Sequence, residues 1–333
     1  MFRADASHAL GLGHVARLCA LVEELGAAGH EPVILFGGDR AQLEGWLGDR
    51  GISAHVKEQW TALQVLQAAL DLHVNTLVID GAAIADELLP KFATQRAVRT
   101  VLVDDRGHVA HRAGTVINHN FHAPGLVRTY NARTLLLGRR YAMLRKDIRR
   151  LTRGSCRPAS GKRLRVVVTF GGSDPVGATA RTLRLLPADR PLDVVVIAGP
   201  GFRDDEALGE AVTLSSANGH AVDIHRAPSD PGALFVSADA AITSAGGTLG
   251  ELAFLGCPAL AYAIADDQVV PAAAQACAGL IAGGRAWSEL DDLALRADLS
   301  WFLSEDSWRE ELRRAALATV DADGPKRIVE QLG

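Results

Sequence analysis

The chain has little that would tie it to a metal, a membrane or a nucleic acid. Its four cysteines, Cys19, Cys156, Cys257 and Cys277, are widely spaced, with no Cys-x-x-Cys pair and no histidine nearby at metal-finger spacing. Neither zinc nor a disulfide framework is indicated, and buried free thiols are the plain reading. The longest apolar runs, such as 259–265, fall well short of the about 20 residues that a membrane span needs. The N-terminus also lacks a basic region followed by an apolar signal core, which predicts a cytoplasmic protein. Charge of one sign is missing too: 35 Lys and Arg against 39 Asp and Glu give a net charge of -4. No basic excess is left to hold a nucleic-acid backbone. No internal repeat or low-complexity tract stands out.

What is there is core material. The 333 residues are 48% hydrophobic and 22% charged, the composition of an ordinary globular protein, and the length suits two domains of roughly 150 residues. Short β-branched runs at 32–36, 76–79, 100–103, 115–117, 164–170, 192–197, 240–242 and 259–264 alternate with Ala/Leu-rich stretches of helical period. Such alternation builds parallel sheets covered by helices on both faces, so the fold class is α/β. The stretch 149–162, RRLTRGSCRPASGK, is basic, contains Gly, Ser and Pro, and has no apolar period; it reads as a linker. This predicts one domain over 1–150, a second over 163–305, and terminal helices over 306–333. A terminal helix returning to the first domain is one way to fix two lobes.

Two constellations carry chemistry. In the first, RADASHALGLGHVAR at 3–17, a very short strand passes through a glycine-bearing loop into an apolar-periodic helix. Gly11 and Gly13 remove Cβ atoms where the backbone turns and where a ligand could approach. His14 falls at about the first helical turn, where the helix N-terminus disfavours the imidazolium form and suits a general base. The same residues also fit a tight turn with a capping histidine. The full G-x-G-x-x-G dinucleotide fingerprint is absent, because position 16 is Ala. Asp5 and Ser7 fit either a hydrogen-bonding role beside the reaction or ordinary loop and cap chemistry.

In the second constellation the strand RVVVTF runs into Gly171, Gly172, Ser173, Asp174 and Pro175, and the strand AAIT runs into SAGGTLGE, with Ser244, Gly246, Gly247, Thr248 and Glu251. Exposed backbone N–H groups at a sheet edge and at a helix N-terminus suit phosphates. A carboxylate one turn further on can accept both ribose hydroxyl hydrogen bonds. Either loop alone could be turn chemistry. Asp266, Asp267 and Gln268 follow the apolar run ALAYAIA and could bind sugar hydroxyls or cap the next helix.

At these residues the sequence resembles the PseG/SpsG-type nucleotide-sugar hydrolases, typified by the UDP-2,4-diacetamido-2,4,6-trideoxy-β-L-altropyranose hydrolase of pseudaminic acid biosynthesis. The matching pieces, in order over most of the chain, are RADAS and GLGHVAR within 3–17, VID at 78–80, VDD at 103–105, INHN at 117–120, LLGRRYAMLR at 136–145, VTFGGSDP at 168–175, SAGGTLGELAFLGCPAL at 244–260 and ADDQ at 265–268. The resemblance implies the GT-B architecture also used by MurG-type glycosyltransferases: two Rossmann-like domains with parallel sheets facing a central cleft, nucleotide on the C-terminal lobe and sugar on the N-terminal lobe. It implies that His14, with Asp5 and Tyr141 beside it, activates the water that displaces at the anomeric carbon, with no metal and no other cofactor. Tyr141 serves equally as a packing aromatic between the lobes. It implies nucleotide contacts from Gly171, Gly172, Ser173, Ser244, Gly246, Gly247, Thr248 and Glu251, and a sugar side formed by Arg3, Gly13, Arg17, Asp80, Asn118, Asp267 and Gln268. The sequence departs from the family pattern in its short first strand, in Gly81-Ala82 after Asp80, and in Asp267 before Gln268. The last two fall where the sugar would lie.

The expected partner is therefore a nucleotide-sugar, with UDP favoured, and not a nucleic acid. Hydrolysis leads among three functions; transfer to an acceptor by the same fold and binding without chemistry are the alternatives, since a fold hosts many functions.

Overall fold

Strands buried on both faces need unbroken apolar runs, and the chain supplies them: Leu77, Val78 and Ile79 are buried in one strand, and Val166, Val167 and Val168 in another. The computed structural model describes residues 1–7, 11–107, 112–156 and 163–332. It divides into two units, Met1–Lys146 with Ala322–Gly333, and Asp147–Asp321.

The first unit runs β1 (Phe2–Asp5), α1 (Gly13–Ala27), β2 (Ile34–Gly37), α2 (Arg40–Gly48), β3 (His55–Lys57), α3 (Ala62–Asp71), β4 (Thr76–Asp80), α4 (Ala82–Phe92), β5 (Arg99–Val103), β6 (Ala113–Asn118) and β7 (Ala132–Leu137), and α5 (Lys146–Arg149) lies at its boundary. The strands form one parallel sheet in the order β3-β2-β1-β4-β5-β6-β7. One face of α1 (Val15, Leu18, Cys19, Leu21 and Val22) is buried, the helical spacing that the apolar pattern of the sequence predicts.

The second unit runs β8 (Leu164–Thr169), α6 (Ala178–Arg184), β9 (Leu192–Ala198), α7 (Asp205–Ala217), β10 (Ala221–Arg226), α8 (Pro231–Val236), β11 (Ala240–Ser244), α9 (Thr248–Leu255), β12 (Ala259–Ala263), α10 (Asp266–Cys277), β13 (Ala282–Ala286), α11 (Asp292–Ser304) and α12 (Asp306–Leu317). Its sheet is parallel throughout, in the order β10-β9-β8-β11-β12-β13. In both sheets the strand order reverses once, between β1 and β4 in the first and between β8 and β11 in the second. At such a switch point the flanking loops leave in opposite directions and open a crevice at the carboxyl ends of the strands, where α/β proteins hold their ligands.

The last helix, α13 (Gly324–Leu332), belongs to the first unit. Ile328 and Leu332 join the core cluster that contains Val15, Leu18 and Leu21, worth about 1.5–3 kcal/mol per fully buried side chain. A Cβ on Gly324 would stand 2.1 Å from the Ala142 carbonyl oxygen, so only glycine lets the helix start so close. Arg99 Nη1 and Arg327 Nη1 donate to the carbonyls of Leu332 and Arg140 at 2.8 and 2.9 Å. The terminal segment 306–333 is thus split: α12 packs on α9 in the second unit, and only the part after Asp321 groups with the first. Within the expected linker 149–162, residues 157–162 lie outside the described residues, as do 8–10 of the first glycine-bearing loop.

Cys19, Cys156 and Cys257 are buried free thiols, whereas Cys277, at the end of α10, is exposed, contrary to the uniform burial expected. No helix among the described residues is long and apolar enough to cross a membrane.

Candidate active site

The first turn of α1 and the carboxyl ends of β4, β5 and β6 carry a network of charged side chains built around Arg17. Helix α1 starts at Gly13 without a side-chain cap on Leu12, placing His14 and Arg17 one turn apart on the same face. Arg17 donates through Nε and Nη2 to the Asp80 carboxylate, both at 2.6 Å. It donates through Nη1 and Nη2 to the Asp105 carboxylate at 2.8 and 2.7 Å. Two such forks use the planar guanidinium fully, which a lysine could not do. Asp80, the last residue of β4, is completely buried in its side chain; its Oδ1 lies 2.7 Å from His14 Nδ1. Arg17 Nη2 lies 3.0 Å from the same ring nitrogen. The shorter contact assigns the Nδ1 proton to a bond donated to Asp80, leaving Nε2 as the proton acceptor, and Nε2 has no partner among the described residues.

Burial works against a charged His14, but the Asp80 carboxylate outweighs it, with Arg17 opposing and Asp105 assisting, so its pKa is raised above the ordinary histidine value. The carboxylates thus act on the ring in the opposite sense to the helix N-terminus. Asp80 is held below the usual carboxylate range: its burial pushes the other way, and Arg17 and His14 overcome it. Asp105 is likewise depressed, against its burial, by Arg17. His119 Nε2 lies 3.5 Å from Arg17 Nη1; desolvation and then Arg17 push its pKa down to about 4, leaving it neutral near pH 7.

This arrangement gives several of the sequence-named residues other duties. Arg17 and Asp80, expected on the sugar side, spend their polar atoms on one another, on Asp105 and on His14, and so hold the histidine. Asn118 is fully buried; its amide donates to Tyr130 Oη at 2.8 Å and its carbonyl oxygen accepts from the Asn120 backbone N–H at 3.0 Å, so it braces the β6 end and is not open to a sugar. Arg3 is buried against Asp5 and its own strand. Asp5, in turn, is packed over Gly37, where a Cβ would meet its carboxylate at 2.0 Å. No hydrogen bond joins Asp5 to His14 among the described residues. The Tyr141 ring packs against the first core with Arg140 over its face at 5.2 Å, a packing contact within the first unit. Gly13 is different: its φ is ordinary and a Cβ there would meet nothing within 4 Å. The chain's own structure does not require glycine at that point.

Asp105 and Asn120, whose amide donates to Asp105 at 2.7 Å, are not among the sequence-named site residues. The signal was present in VDD and INHN, polar groups immediately after β-branched runs.

The second unit places its constellation at the β8/β11 switch point. After β8, Gly171 takes φ 81°, a conformation that glycine adopts without strain. Gly172 is pressed so closely under Gly199 that a Cβ on the latter would lie 2.5 Å from the Gly172 Cα, and Gly201 N donates to Gly172 O at 2.7 Å. Asp174 accepts from the Ala178 and Thr179 N–H groups, both at 2.8 Å, and so fixes the start of α6. Ser173 and Ser244 are buried. Ser244, the last residue of β11, points its hydroxyl toward both loops: Oγ is 3.7 Å from where a Cβ on Gly171 would stand and 3.9 Å from one on Gly246. It has no side-chain hydrogen bond among the described residues.

Gly246 and Gly247 lead into Thr248 at the start of α9, with Glu251 in its first turn. Gly247 has φ -57°, and a Cβ there meets nothing within 4 Å; the pair is demanded neither by the backbone nor by packing. Leu249 N and Gly250 N donate to Gly246 O and Gly247 O at 3.1 and 3.0 Å, and what the missing side chains provide is open space before the positive end of α9, which suits an anion. Gln268 accepts from Ile264 N at 3.1 Å and turns its amide nitrogen to within 3.7 Å of a Gly246 Cβ position. The structure therefore brings Gln268 to the Ser244–Thr248 loop. Asp267 lies beside it in the first turn of α10. Among the described residues no group of three or more His, Cys, Asp or Glu is placed to hold a metal ion.

No protein-family model and no curated protein matches the chain. Solved structures do. The chain is similar to MurG of Acinetobacter baumannii (TM-score 0.69, 16% identity, 99% of this chain and 98% of that one). It is similar to CalG4, the calicheamicin glycosyltransferase (TM-score 0.62, 16% identity, 99% and 96%). It is also similar to UDP-GlcNAc 2-epimerase from Neisseria meningitidis bound to UDP-GlcNAc (TM-score 0.64, 11% identity, 100% and 99%). The chain has the two-domain, parallel-sheet GT-B fold of these proteins.

Proposed function

We propose that the chain is an enzyme acting on a nucleotide-activated sugar, with UDP as the favoured nucleotide, and that it transfers the sugar to an acceptor hydroxyl with His14 as general base. The observation that carries this reading is the His14–Asp80 pair: a histidine at a sheet switch point, oriented through Nδ1 by a buried carboxylate, with Nε2 left to accept a proton. His14 takes the proton from the acceptor hydroxyl as its oxygen bonds to the anomeric carbon. The bond from that carbon to the diphosphate oxygen breaks, and its electron pair leaves on the nucleotide. Gly171–Ser173, Ser244 and the Gly246–Thr248 entry to α9 supply N–H and hydroxyl groups for the diphosphate, and Glu251 takes the ribose hydroxyls. The fold likeness to a glycosyltransferase and to an epimerase solved with UDP-GlcNAc supports this substrate class.

Hydrolysis, in which water replaces the acceptor, is the second reading, favoured by the ordered RADAS, GLGHVAR, VTFGGSDP and ADDQ pieces. Both readings need the same base and no metal. Turnover of UDP-, CDP-, CMP-, dTDP- and GDP-sugars, measured with a chelator present and with and without a panel of hydroxyl acceptors, separates them. Sugar found on an acceptor supports transfer, and free sugar without acceptor supports hydrolysis. His14→Ala should lower either turnover by about 10²–10⁴-fold while nucleotide affinity changes by less than about twofold. Retained turnover in that variant would remove His14 from the reaction.

A further inference from the structure

Arg17 faces two carboxylates and one imidazole. Had the network served only to orient His14, one carboxylate would suffice, because an Arg17–Asp80 pair is electrically neutral and already holds the ring. The second carboxylate changes the balance: one positive and two negative charges leave the cluster with a net negative charge while His14 is neutral, and with none once His14 has taken a proton. The geometry shows how the charge is delivered. Arg17 Nη2 reaches Asp105 at 2.7 Å, Asp80 at 2.6 Å and His14 Nδ1 at 3.0 Å, so the same nitrogen touches all three partners.

We propose that Asp105 is a positioning residue for the reaction: acting through Arg17, it offsets the guanidinium charge and so makes His14 a proton acceptor and not merely an oriented ring. The inference rests on the reading of His14 as the base. The groups facing the cluster bear it out element by element. From α1 comes Arg17; from β4, Asp80; from the segment after β5, Asp105; from the segment after β6, His119 and Asn120. Arg139 acts on His119, which stays uncharged near pH 7. Arg3 and Asp5 at the β1 end are paired with one another and cancel. Asp104 is engaged elsewhere, accepting from Tyr130 Oη at 2.8 Å and from Gly107 N at 2.7 Å. Asp105 is thus the charge that distinguishes this cluster from a neutral orienting pair.

The test follows the His14 imidazole by NMR through a pH titration of the full-length protein, beside the pH profile of kcat/KM. Asp105→Asn keeps the shape of the side chain and removes its charge. The His14 midpoint should fall by about one pH unit, which is about tenfold in proton affinity, and the acid limb of kcat/KM should move with it. Asp105→Glu should restore both. Asn120→Ala, which removes a neutral donor to the same carboxylate, should leave the midpoint in place. Asp105→Ser serves the same purpose as Asp105→Asn if the latter folds poorly. A midpoint that stays put in the charge-removing variants, or that falls equally in Asn120→Ala, overturns the inference. The underlying reading is tested separately by His14→Gln: undiminished turnover there defeats His14 as base, while the NMR midpoints still decide the charge assignment.

Discussion

The two sheets end in opposite materials. At the carboxyl edge of the first, strand ends carry Asp80, Asp105 and His119, and the Nδ1 side of His14 faces ionised side chains bonded to one another. At the same edge of the second, strand ends carry Gly171, Gly172, Ser244, Gly246 and Gly247, and the polar groups on offer are mainly backbone N–H. Buried side-chain charges in a low-dielectric setting tune a proton affinity, because each ionisation is felt by its neighbours. Backbone N–H groups carry no titratable proton and present fixed dipoles. The contrast supports the proposed division, with proton chemistry on the first unit and anion binding on the second, on one topological plan used twice.

The largest effect that would break this comparison is expected from Asp80→Asn. The amide keeps the shape but removes the charge that holds His14, and an amide that donates toward Nδ1 favours the wrong tautomer. We expect turnover to fall by about 10²–10³-fold, comparable to losing much of a general base, with nucleotide affinity in titration calorimetry little changed. Because Arg17 retains Asp105, stability should fall by about 3 kcal/mol, the lower end for removing one partner of a buried ion pair. A loss of nucleotide affinity as large as the loss of turnover would erase the division of labour. A pH profile of the unsubstituted protein sharpens the same point. The His14 pKa is raised, so the neutral base is lost as pH falls and the acid limb of kcat/KM should lie above pH 6.5, the ordinary histidine value. A limb below that value would mean that burial, together with Arg17, outweighs the carboxylates.

How much of this was legible in the sequence differs by element. Strands such as β4, β5, β8 and β9 announce themselves because both faces are buried and nearly every residue is β-branched or Leu. Others do not. In β13, AGGRA, glycines take the place of branched side chains because a Cβ on Gly284 would stand 2.4 Å from Ala276 Cβ and one on Gly283 2.6 Å from Ala261 O; close approach of α10 and β12 hides the strand. The edge strand β10 is only partly buried, so its pattern is diluted. The site was legible as a set of residue types, since His14, Asp80 and the glycine loops all stand at strand ends. The direction of each side chain was not. No spacing shows that Arg17, 63 positions before Asp80 and 88 before Asp105, would bridge both and leave neither open to a sugar.

The smaller effects test the glycine edge, and they separate access from backbone strain. At Gly247 the backbone is ordinary and a Cβ has open space, so Gly247→Val should fold with a stability change within about 1 kcal/mol. Its branched side chain would nevertheless occupy the ground before the α9 N–H groups, and we expect affinity for UDP to fall about tenfold. Gly171→Ala is the reverse case. At φ 81° an alanine is strained by roughly 1–2 kcal/mol, so thermal unfolding should register the change. The added methyl meets only Ser244 Oγ, at an ordinary contact distance of 3.7 Å, so nucleotide affinity should move by less than about twofold once the variant is folded. If Gly247→Val instead lost stability and kept its affinity, glycine there would be structural, and the second sheet edge would resemble the first in being closed by its own chain.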